Sequence, residues 1–427
     1  MHTKGHPRNS LFGMSWSPTS GALAIMLALL FLIFLILFIT LTAQPVRAQT
    51  FQVIYTFTSG DDGGEPRAGI TIDDVGNLYG TTEGGGTHYK GVVYQMTFEN
   101  SSWTFTPLFE FPSWANGLPY AGVARDANGA LYGATECCVL NPNTQWGNVF
   151  KLEPSSTGLW NETILHWFSD GADGGDPYNT PIVDPASNVY GTTMFGGATR
   201  LCDYAPYDFG CGTVYKLSQS NGGWTESVLH DFTGGDGKFP MSALLLDSAG
   251  NLYGTTAYGG AHNCGTAFEL TPSGAVWTET VLHDFNFDNG DGCNPNSPLV
   301  FGPDGNLYGG TSGGSVFQLS RSSGQWTFAV LHTFPSGEGP VGNLAVDRAG
   351  SIYGATGGFE WGNVFRVSPS NGTWTYTSLH DFTGSSDGAS PFGGVSIDAN
   401  GNLYGTTFGG GSGQGFNGWG VVYEITP

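Results

Sequence analysis

The sequence predicts an all-β fold: a single seven-bladed β-propeller built from four-stranded antiparallel blades. Three observations predict it. One phrase recurs seven times along the chain, each copy brings four short apolar strands, and the composition suits strands joined by tight turns. We assign residues 49–427 to the propeller and residues 1–48 to a separate export segment.

The composition favours many short strands over amphipathic helices. The chain contains 69 glycines, 14% aromatic residues and only 11% charged residues. Glycine supplies tight turns and aromatic residues suit strands, so a repeat architecture accounts for a chain of 427 residues better than one ordinary core does.

The charge of the predicted propeller is strongly negative. Residues 49–427 carry 10 basic and 35 acidic side chains, a formal net charge of −25. Such a field repels polyphosphate, so nucleic acid is excluded as a partner. Solubility alone is a sufficient reason for the acidity.

The N-terminus reads as an export signal. Lys4 and Arg8 precede an apolar run over residues 22–39, and Val46-Arg47-Ala48 has the small-x-small pattern that signal peptidases cut. The apolar run is also long enough to span a bilayer, so the alternative is an uncleaved membrane anchor. Both interpretations place the propeller outside the cytoplasm: extracellular, on the cell surface, periplasmic or attached to the outer membrane.

The repeat is centred on a Leu-Tyr-Gly-Thr-Thr strand. Successive copies of its tyrosine lie 45 to 63 residues apart, a period typical of propeller blades. The seven tyrosines are Tyr79, Tyr132, Tyr190, Tyr253, Tyr308, Tyr353 and Tyr404.

Three more strands accompany each tyrosine strand. An apolar strand leads into it through a turn such as Asp247-Ser248-Ala249-Gly250, and a glycine-rich loop then leads to a strand such as Gly212–Leu217. A strand with Trp eight residues before a final Phe completes the set; its tryptophans are Trp103, Trp160, Trp224, Trp277, Trp326 and Trp374. Strands apolar on both sides indicate packing between blades rather than a cofactor site.

The phase of the repeat predicts how the ring closes. The chain after Ala48 begins with a lone strand ending at Phe57, and the C-terminus ends with a strand over residues 421–425 that lacks its outer neighbour. We therefore expect residues 51–57 to pair antiparallel with residues 420–426 and to complete the last blade.

The repeated phrases resemble a known bacterial family. Gly-Asn-Leu-Tyr-Gly-Thr-Thr, Gly-Thr-Val-Tyr-Lys-Leu and Trp-Thr-Glu-Thr-Val-Leu-His-Asp-Phe are similar to the GloVer tandem repeat of choice-of-anchor surface proteins, and the resemblance covers residues 51–427. It implies an exported bacterial protein with propeller-like repeats and no assigned reaction. No C-terminal sorting segment precedes Pro427, so we expect the N-terminal segment to be the anchor if there is one.

Two classes of loop should share one rim of the propeller and form the binding surface. They are the variable glycine-rich loops after the tyrosine strands and the acidic turns between blades. The carboxylates in these turns predict a Ca²⁺ site, with the aspartates as its ligands. The alternative is that Asp and Gly occur here because they are the best turn formers. The candidate ligands are Asp61, Asp62, Asp170, Asp173, Asp176, Asp288 and Asp291.

The six cysteines also lie in these loops. In an exported protein we expect disulfides, and the pairs that fall on one rim are Cys202 with Cys211 and Cys264 with Cys293. The neighbours Cys137 and Cys138 could form a strained bridge or bind a soft metal, and the sequence does not decide between these roles.

The leading functional hypothesis is a monomeric, non-enzymatic binding module that holds a glycan or an extracellular protein on the acidic rim. Five aromatic residues outside the repeated tryptophan position are the candidates for stacking on a sugar: Trp114, Trp146, Phe359, Trp361 and Trp419. One alternative is an extracellular polysaccharide hydrolase or lyase, which would need two carboxylates across a pocket. Another is a structural envelope component. No residue is assigned a catalytic role.

Overall fold

Strand pairing divides the protein into seven four-stranded antiparallel sheets, which are the seven predicted blades. The computed structural model describes residues 49–112, 118–136, 146–156, 160–199, 202, 209–220, 222–335, 338–357, 361–413 and 417–426, together with 26, 27 and 31. Residues Gln49–Pro427 form one compact unit and Met1–Ala48 another. Among the described residues, no helix has the length and apolar character needed to cross a membrane.

The chain enters the ring with β1 (Thr50–Thr56) and then builds the blades in order, each from the central channel outward. The strands of blades 1 to 3 are β2 (Thr71–Ile72), β3 (Leu78–Thr82), β4 (Val92–Glu99), β5 (Ser102–Glu110); β6 (Val123–Arg125), β7 (Leu131–Thr135), β8 (Asn148–Pro154), β9 (Trp160–Trp167); and β10 (Ile182–Val183), β11 (Val189–Thr193), β12 (Thr213–Ser220), β13 (Gly223–Asp231).

Blades 4 to 7 repeat this pattern. Their strands are β14 (Leu245–Leu246), β15 (Leu252–Thr256), β16 (Thr266–Ser273), β17 (Val276–Asp284); β18 (Val300–Phe301), β19 (Leu307–Thr311), β20 (Ser315–Ser322), β21 (Gln325–Thr333); β22 (Gly339–Val346), β23 (Ile352–Gly357), β24 (Asn363–Ser370), β25 (Thr373–Asp381); and β26 (Ser396–Ile397), β27 (Leu403–Thr407), β28 (Val421–Thr426) followed by β1.

The predicted closure of the ring is confirmed. Strand β1 pairs antiparallel with β28, with Thr50 opposite Thr426 and Thr56 opposite Val421. The N-terminal strand is therefore the outermost strand of blade 7, and the two ends of the propeller are joined by backbone hydrogen bonds.

The glycine of the Tyr-Gly phrase lies under an aromatic ring of the third strand. In blade 1, Gly80 is opposite Tyr94, and a Cβ on Gly80 would lie 2.4 Å from the Tyr94 hydroxyl. In blade 4, a Cβ on Gly254 would lie 2.5 Å from the ring of Phe268. Because these rings are fully buried, only glycine leaves room for them.

The repeated tyrosine has a polar and an apolar role. In all seven blades its hydroxyl donates to the aspartate of the turn between the first and second strands, at 2.8 to 3.4 Å. In four blades its ring also meets the edge of the next blade's tryptophan, as for Tyr404 and Trp103 at 5.9 Å. The expectation that these aromatic residues pack between blades agrees with this geometry.

The outer strands of neighbouring blades meet along a seam. The ring of His380 stacks on Phe51 of the next blade at 3.6 Å, and His283 stacks on Phe328 at 3.7 Å. In blade 4 the position of these aromatic residues is taken by Glu279, which lies within electrostatic range of His230. The seam is thus aromatic in some places and charged in others.

The propeller has two rims. One end of the propeller carries the loops between second and third strands and the connections between blades, and we call it the variable rim. The other end carries the remaining turns, and we call it the constant rim. Both predicted disulfides are confirmed, and both lie at the variable rim: Cys202–Cys211 and Cys264–Cys293, with Cα–Cα distances of 5.0 and 4.7 Å. Residues 137 and 138 lie outside the described residues.

Candidate functional site

A proline in every blade turns the chain from the variable rim into the channel. It lies four or five residues before the first strand of the blade in all blades except blade 6, where that strand already includes it. The seven prolines are Pro66, Pro119, Pro177, Pro240, Pro295, Pro340 and Pro391. In six blades the preceding residue has a positive φ, from 54° to 72°, which bends the chain inward before the proline fixes the next φ.

Six of these prolines pack against the glycine just before the third strand of the preceding blade, and Pro340 packs against Gly310 in the second strand of blade 5. Gly420, with φ of 86°, lies just before β28, and a Cβ there would meet Pro66 at 2.7 Å and the carbonyl of Thr407 at 2.1 Å. The contact fixes where the chain enters the channel, and therefore where the residue after the proline is placed.

The seven residues that follow the prolines surround one cavity of about 280 Å³, which we call the central pocket. These residues are Arg67, Tyr120, Tyr178, Met241, Asn296, Val341 and Phe392. Small residues after them, such as Ala68, Gly122 and Gly393, line its deeper part. The blades are alike in backbone, yet they present six different residue types here, with tyrosine in two blades.

A second ring of residues lies beside the first. In each blade it is the residue that directly follows the second strand, except in blade 6, where it is the last residue of that strand. The seven residues are Glu83, Glu136, Met194, Ala257, Ser312, Gly357 and Phe408. In six blades the backbone N–H of this second-ring residue donates to the carbonyl of the residue before the proline. The N–O distances are 2.9 Å for Met194 and 3.0 to 3.2 Å for the others, Glu83 included. The two rings are thereby held side by side.

Charged and hydroxylated side chains collect on the side of blades 1 to 3. We call Arg67, Glu83, Tyr120, Glu136 and Tyr178 the Arg67 cluster. The Nε of Arg67 donates to Oε2 of Glu83 at 3.1 Å. Its guanidinium lies 4.6 Å from the centre of the Tyr120 ring, and the rings of Tyr120 and Tyr178 are 5.5 Å apart.

Aromatic residues of blade 7 complete the surroundings of the guanidinium. Phe408 and Phe392 lie 5.0 and 5.5 Å from it. A guanidinium between aromatic faces and a carboxylate is held in one orientation, because the rings attract its charge while the carboxylate fixes Nε. Arg67 is thus positioned before any ligand arrives.

The carboxyl groups of the cluster are not equivalent. Burial, and next the charge of Glu83, raise the pKa of Glu136 to about 7, against an opposing effect of Arg67. Burial and then Glu83 also raise the pKa of Glu65, the residue before Pro66. Near neutral pH Glu136 is therefore partly protonated, beside the ion pair of Arg67 with Glu83.

The central pocket has chemically different sides. Blades 1 to 3 contribute the Arg67 cluster, whereas Met241, Val341 and Phe392 give the remaining blades a largely apolar surface, with Asn296 between them. Such a pocket can hydrogen-bond one edge of a ligand and pack against its apolar face.

The aromatic candidates from the sequence lie away from this pocket. Trp146, Trp361 and Trp419 share a repeat position of their own, just before the glycine that precedes the third strand. Their carbonyls accept an N–H from the residue before the next blade's proline, at 2.8 Å in each case. None of the three lines the central pocket. Residues 114 and 359, the positions of Trp114 and Phe359, lie outside the described residues.

These tryptophans pack on the turns between blades. Trp361 lies against Gly384, and Trp419 lies against Gly64. Trp146 is buried beside Phe209, while Trp361 and Trp419 are each 37% exposed. Cys211 and Cys264 occupy the same repeat position, so a tryptophan or a disulfide covers the neighbouring turn in five of the seven blades.

Several of the aspartates proposed as calcium ligands hold their own turns together. Asp173 accepts from the N–H of Ser169 at 3.1 Å and contacts Nε2 of His166 at 3.2 Å. Asp62 and Asp291 accept equivalent bonds from Thr58 and Asn286. These bonds use carboxylate oxygens that a cation would need.

The remaining calcium candidates do not gather into a ligand set. Asp170 and Asp176 are buried, whereas Asp61 and Asp288 are exposed. No group of three or more His, Cys, Asp or Glu side chains arranged for a metal ion occurs in the part of the chain that the structure describes. Calcium binding stays a prediction.

Sequence reasoning predicted that the two loop classes share one rim, but it did not predict the central pocket. A signal was present: each repeat has a proline before or at the start of its first strand, and the residue after that proline is of six different types in the seven copies. The interpretation followed the variable loops instead, because their lengths differ most. The importance of the position after the proline appears only when seven blades bring it to one axis.

Fold and pocket together define the class: a seven-bladed β-propeller with an asymmetric pocket at the channel opening of its variable rim. The chain contains the Gloeobacter/Verrucomicrobia repeat, whose sequence profile matches residues 139–315, and the resemblance predicted from the repeated phrases is confirmed there. No curated protein sequence matches this chain.

Solved structures support the fold alone. A Bacteroides uniformis protein provisionally named a 6-phosphogluconolactonase shares 16% identity over 77% of this chain and 88% of that chain, with a TM-score of 0.50. A Lactobacillus plantarum protein shares 14% identity over 78% of this chain and 88% of that chain, with a TM-score of 0.52. At these identities the likeness carries no information on ligand or reaction.

Proposed function

We propose that the protein is an exported, non-enzymatic binding module that takes a saccharide into the central pocket of its variable rim. One observation carries the proposal. The seven residues after the prolines are equivalent in the scaffold, yet they are of six different types, with only Tyr120 and Tyr178 alike, and they converge on one cavity of about 280 Å³. Since packing explains the repeated residues, departures from the repeat mark the place where a ligand is recognised.

The walls of the pocket suit a sugar. A sugar ring has hydroxyl groups around its edge and an apolar face of C–H groups. Arg67, Tyr120 and Tyr178 offer hydrogen bonds and aromatic faces on one side, and Met241 and Val341 offer apolar contact on the other. The volume is that of a small-molecule site, and would hold the end of a chain rather than a long segment.

Binding is favoured over hydrolysis by the residues at the surface of the pocket. Among the described residues that line it there is no carboxylate. Glu83 and Glu136 belong to the second ring, behind Arg67 and the tyrosines. A glycosidase needs two carboxyl groups that reach the scissile bond, so this arrangement supports recognition without cleavage.

Export is supported by the same features that predicted it. The apolar run and small-x-small pattern before Gln49 are typical of a signal peptide, and two disulfides lie in the loops of the variable rim. Disulfides form and persist mainly in oxidising compartments. We place the propeller outside the cytoplasm.

The test is retention of the purified full-length protein on a panel of extracellular polysaccharides, with release of new reducing ends measured in parallel. Tyr178→Ala should weaken retention by about tenfold or more, as expected for an aromatic contact at the centre of a site. Trp361→Ala, an aromatic loss of similar size outside the pocket, should leave retention unchanged. Thermal melts confirm that both variants are folded.

Three outcomes would contradict the proposal. Failure to retain any polysaccharide removes the saccharide ligand. Loss of retention in Trp361→Ala but not in Tyr178→Ala moves the site to the outer tryptophans. New reducing ends support the hydrolase or lyase alternative.

A further inference from the structure

We propose that the saccharide recognised in the central pocket is acidic, a uronic-acid unit whose carboxylate pairs with Arg67. The inference rests on the proposed function and names its ligand class. It starts from the charge at the surface of the pocket: among the described residues that line it, Arg67 is the one charged side chain.

The guanidinium of Arg67 is built to receive a carboxylate. It presents five N–H donors in a planar fork, and Nε is the donor bound to Glu83. Arg67 lines the pocket, keeps 30% of its side chain exposed, and its guanidinium also lies within hydrogen-bonding range of the Tyr178 hydroxyl in the same cavity. Paired N–H donors bind a carboxylate through two parallel hydrogen bonds, a geometry that an ammonium does not provide.

The surrounding residues fix this fork without filling the pocket. Glu83 holds Nε from the second ring, and Tyr120 and Phe408 cover the guanidinium at 4.6 and 5.0 Å. Binding then costs little side-chain entropy, because Arg67 is already oriented. A neutral hydroxyl would use the same donors less strongly, since hydrogen bonds between two charged groups are the stronger ones.

The strongly negative net charge of the protein does not oppose the binding of a carboxylate at contact distance from Arg67. At physiological ionic strength solvent-exposed charges more than about 8 Å apart are largely screened. At the surface of the pocket the charged side chain is Arg67, while Glu83 is paired with its Nε and does not line the cavity. The neighbouring Glu136 can take up a proton and reduce the negative charge beside a bound carboxylate.

The stacked tyrosines complete the recognition of a ring. Tyr120 and Tyr178 lie beside Arg67 with their ring centres 5.5 Å apart, and both line the cavity. An aromatic face next to a carboxylate-binding fork matches a uronic acid, in which the carboxylate projects from a ring with an apolar face. A free carboxylic acid lacks that ring.

The experiment is isothermal titration of the unaltered full-length protein with matched sugars. Galactose, galacturonate and galactosamine share one ring and differ in charge, and glucose with glucuronate repeats the comparison. We expect the uronates to bind at least about tenfold more tightly than the neutral sugars, in line with a charge-assisted hydrogen bond, and galactosamine to bind most weakly. Acetate and gluconate test whether a carboxylate alone suffices.

Variants locate the effect. Arg67→Gln should lower the affinity for galacturonate by about tenfold or more and leave that for galactose nearly unchanged. Lys238→Gln, which removes a positive charge from the same rim outside the central pocket, should change neither affinity. If Arg67→Gln does not fold, the comparison of sugars on the unaltered protein still decides.

The outcomes separate this inference from the proposed function. Equal or tighter binding of galactose or galactosamine overturns the uronate inference and leaves a saccharide-binding module. Retention of polysaccharides without binding of any uronate does the same. Acetate or gluconate binding as tightly as galacturonate shows a carboxylate site that is not a sugar site, and overturns the proposed function. Loss of retention on every polysaccharide overturns both.

Discussion

Gly254 shows how a single repeated residue is determined by its neighbour across the sheet. A Cβ at this position would lie 2.5 Å from the ring of Phe268 and 3.0 Å from Leu244, both fully or almost fully buried. We expect Gly254→Ala to lower the free energy of unfolding by about 1–3 kcal/mol, because the packed core has no space to yield. Denaturant unfolding measures the change.

Gly223→Ala is the matched control for that substitution. Gly223 begins β13 at an exposed position, and no atom lies within 4 Å of a Cβ built there. Its effect should stay within about 0.5 kcal/mol. Equal effects of the two substitutions would show that the contact with Phe268 does not determine the repeated glycine.

Glu279 gives the seam between blades 3 and 4 a dependence on pH. Burial, and secondarily Asp236, raise its pKa to about 7, while His230 opposes the rise. A carboxyl whose pKa is raised in the folded state contributes stability below its unfolded pKa, and this is lost as pH rises through the folded value. The free energy of unfolding should therefore fall between about pH 4.5 and 7 because of Glu279.

The variant Glu279→Gln should remove that loss. Its melting temperature should match the unaltered protein near pH 4 and exceed it increasingly up to pH 7, after which the difference stays constant. Glu99→Gln, at an exposed end of β4, is the control and should change little. A difference that is largest in acid would contradict the assignment.

At the scale of secondary-structure elements, closure of the ring depends on β1. Its Phe51 stacks on His380 at 3.6 Å and lies 5.8 Å from Tyr423, so one side chain joins blades 6 and 7. Phe51→Ala should cost roughly 1–3 kcal/mol, the loss of a partly buried aromatic contact, and should speed opening of the terminal blade. Hydrogen exchange of β28 measures the opening.

Phe98→Ala provides the comparison for Phe51. Phe98 lies one residue before the end of β4 on the constant rim and is 56% exposed, so its loss should leave the exchange of β28 unchanged. Equal protection of β28 in both variants would show that β1 is dispensable for closure.

Elements were predictable where they repeat. The pairing of β1 with β28 followed from counting eight residues back from Phe57, because a missing tryptophan marked an incomplete repeat. The disulfide pairs followed from the topology that places their loops on one rim. The shared repeat position of Trp146, Trp361 and Trp419 was missed, since lysine, cysteine and glycine occupy it elsewhere and hide the pattern.

At the scale of the whole molecule, the scaffold and the site follow different rules. Packing between blades requires the same glycines, tyrosines and tryptophans in each copy, so a sequence period reveals the propeller. The central pocket depends on one residue from each blade, and residues as distant in sequence as Arg67 and Phe392 line it together. No local pattern contains that relation, because it arises only when the ring closes.

The structure of the full-length protein with a bound oligogalacturonate tests the account most directly. We predict one sugar ring in the central pocket, with its carboxylate on the guanidinium of Arg67 and a face against Tyr120 or Tyr178. A ligand bound at the constant rim, or on Trp361 and Trp419 with the central pocket empty, would contradict the claim that a repetitive propeller carries its one recognition site at the channel opening.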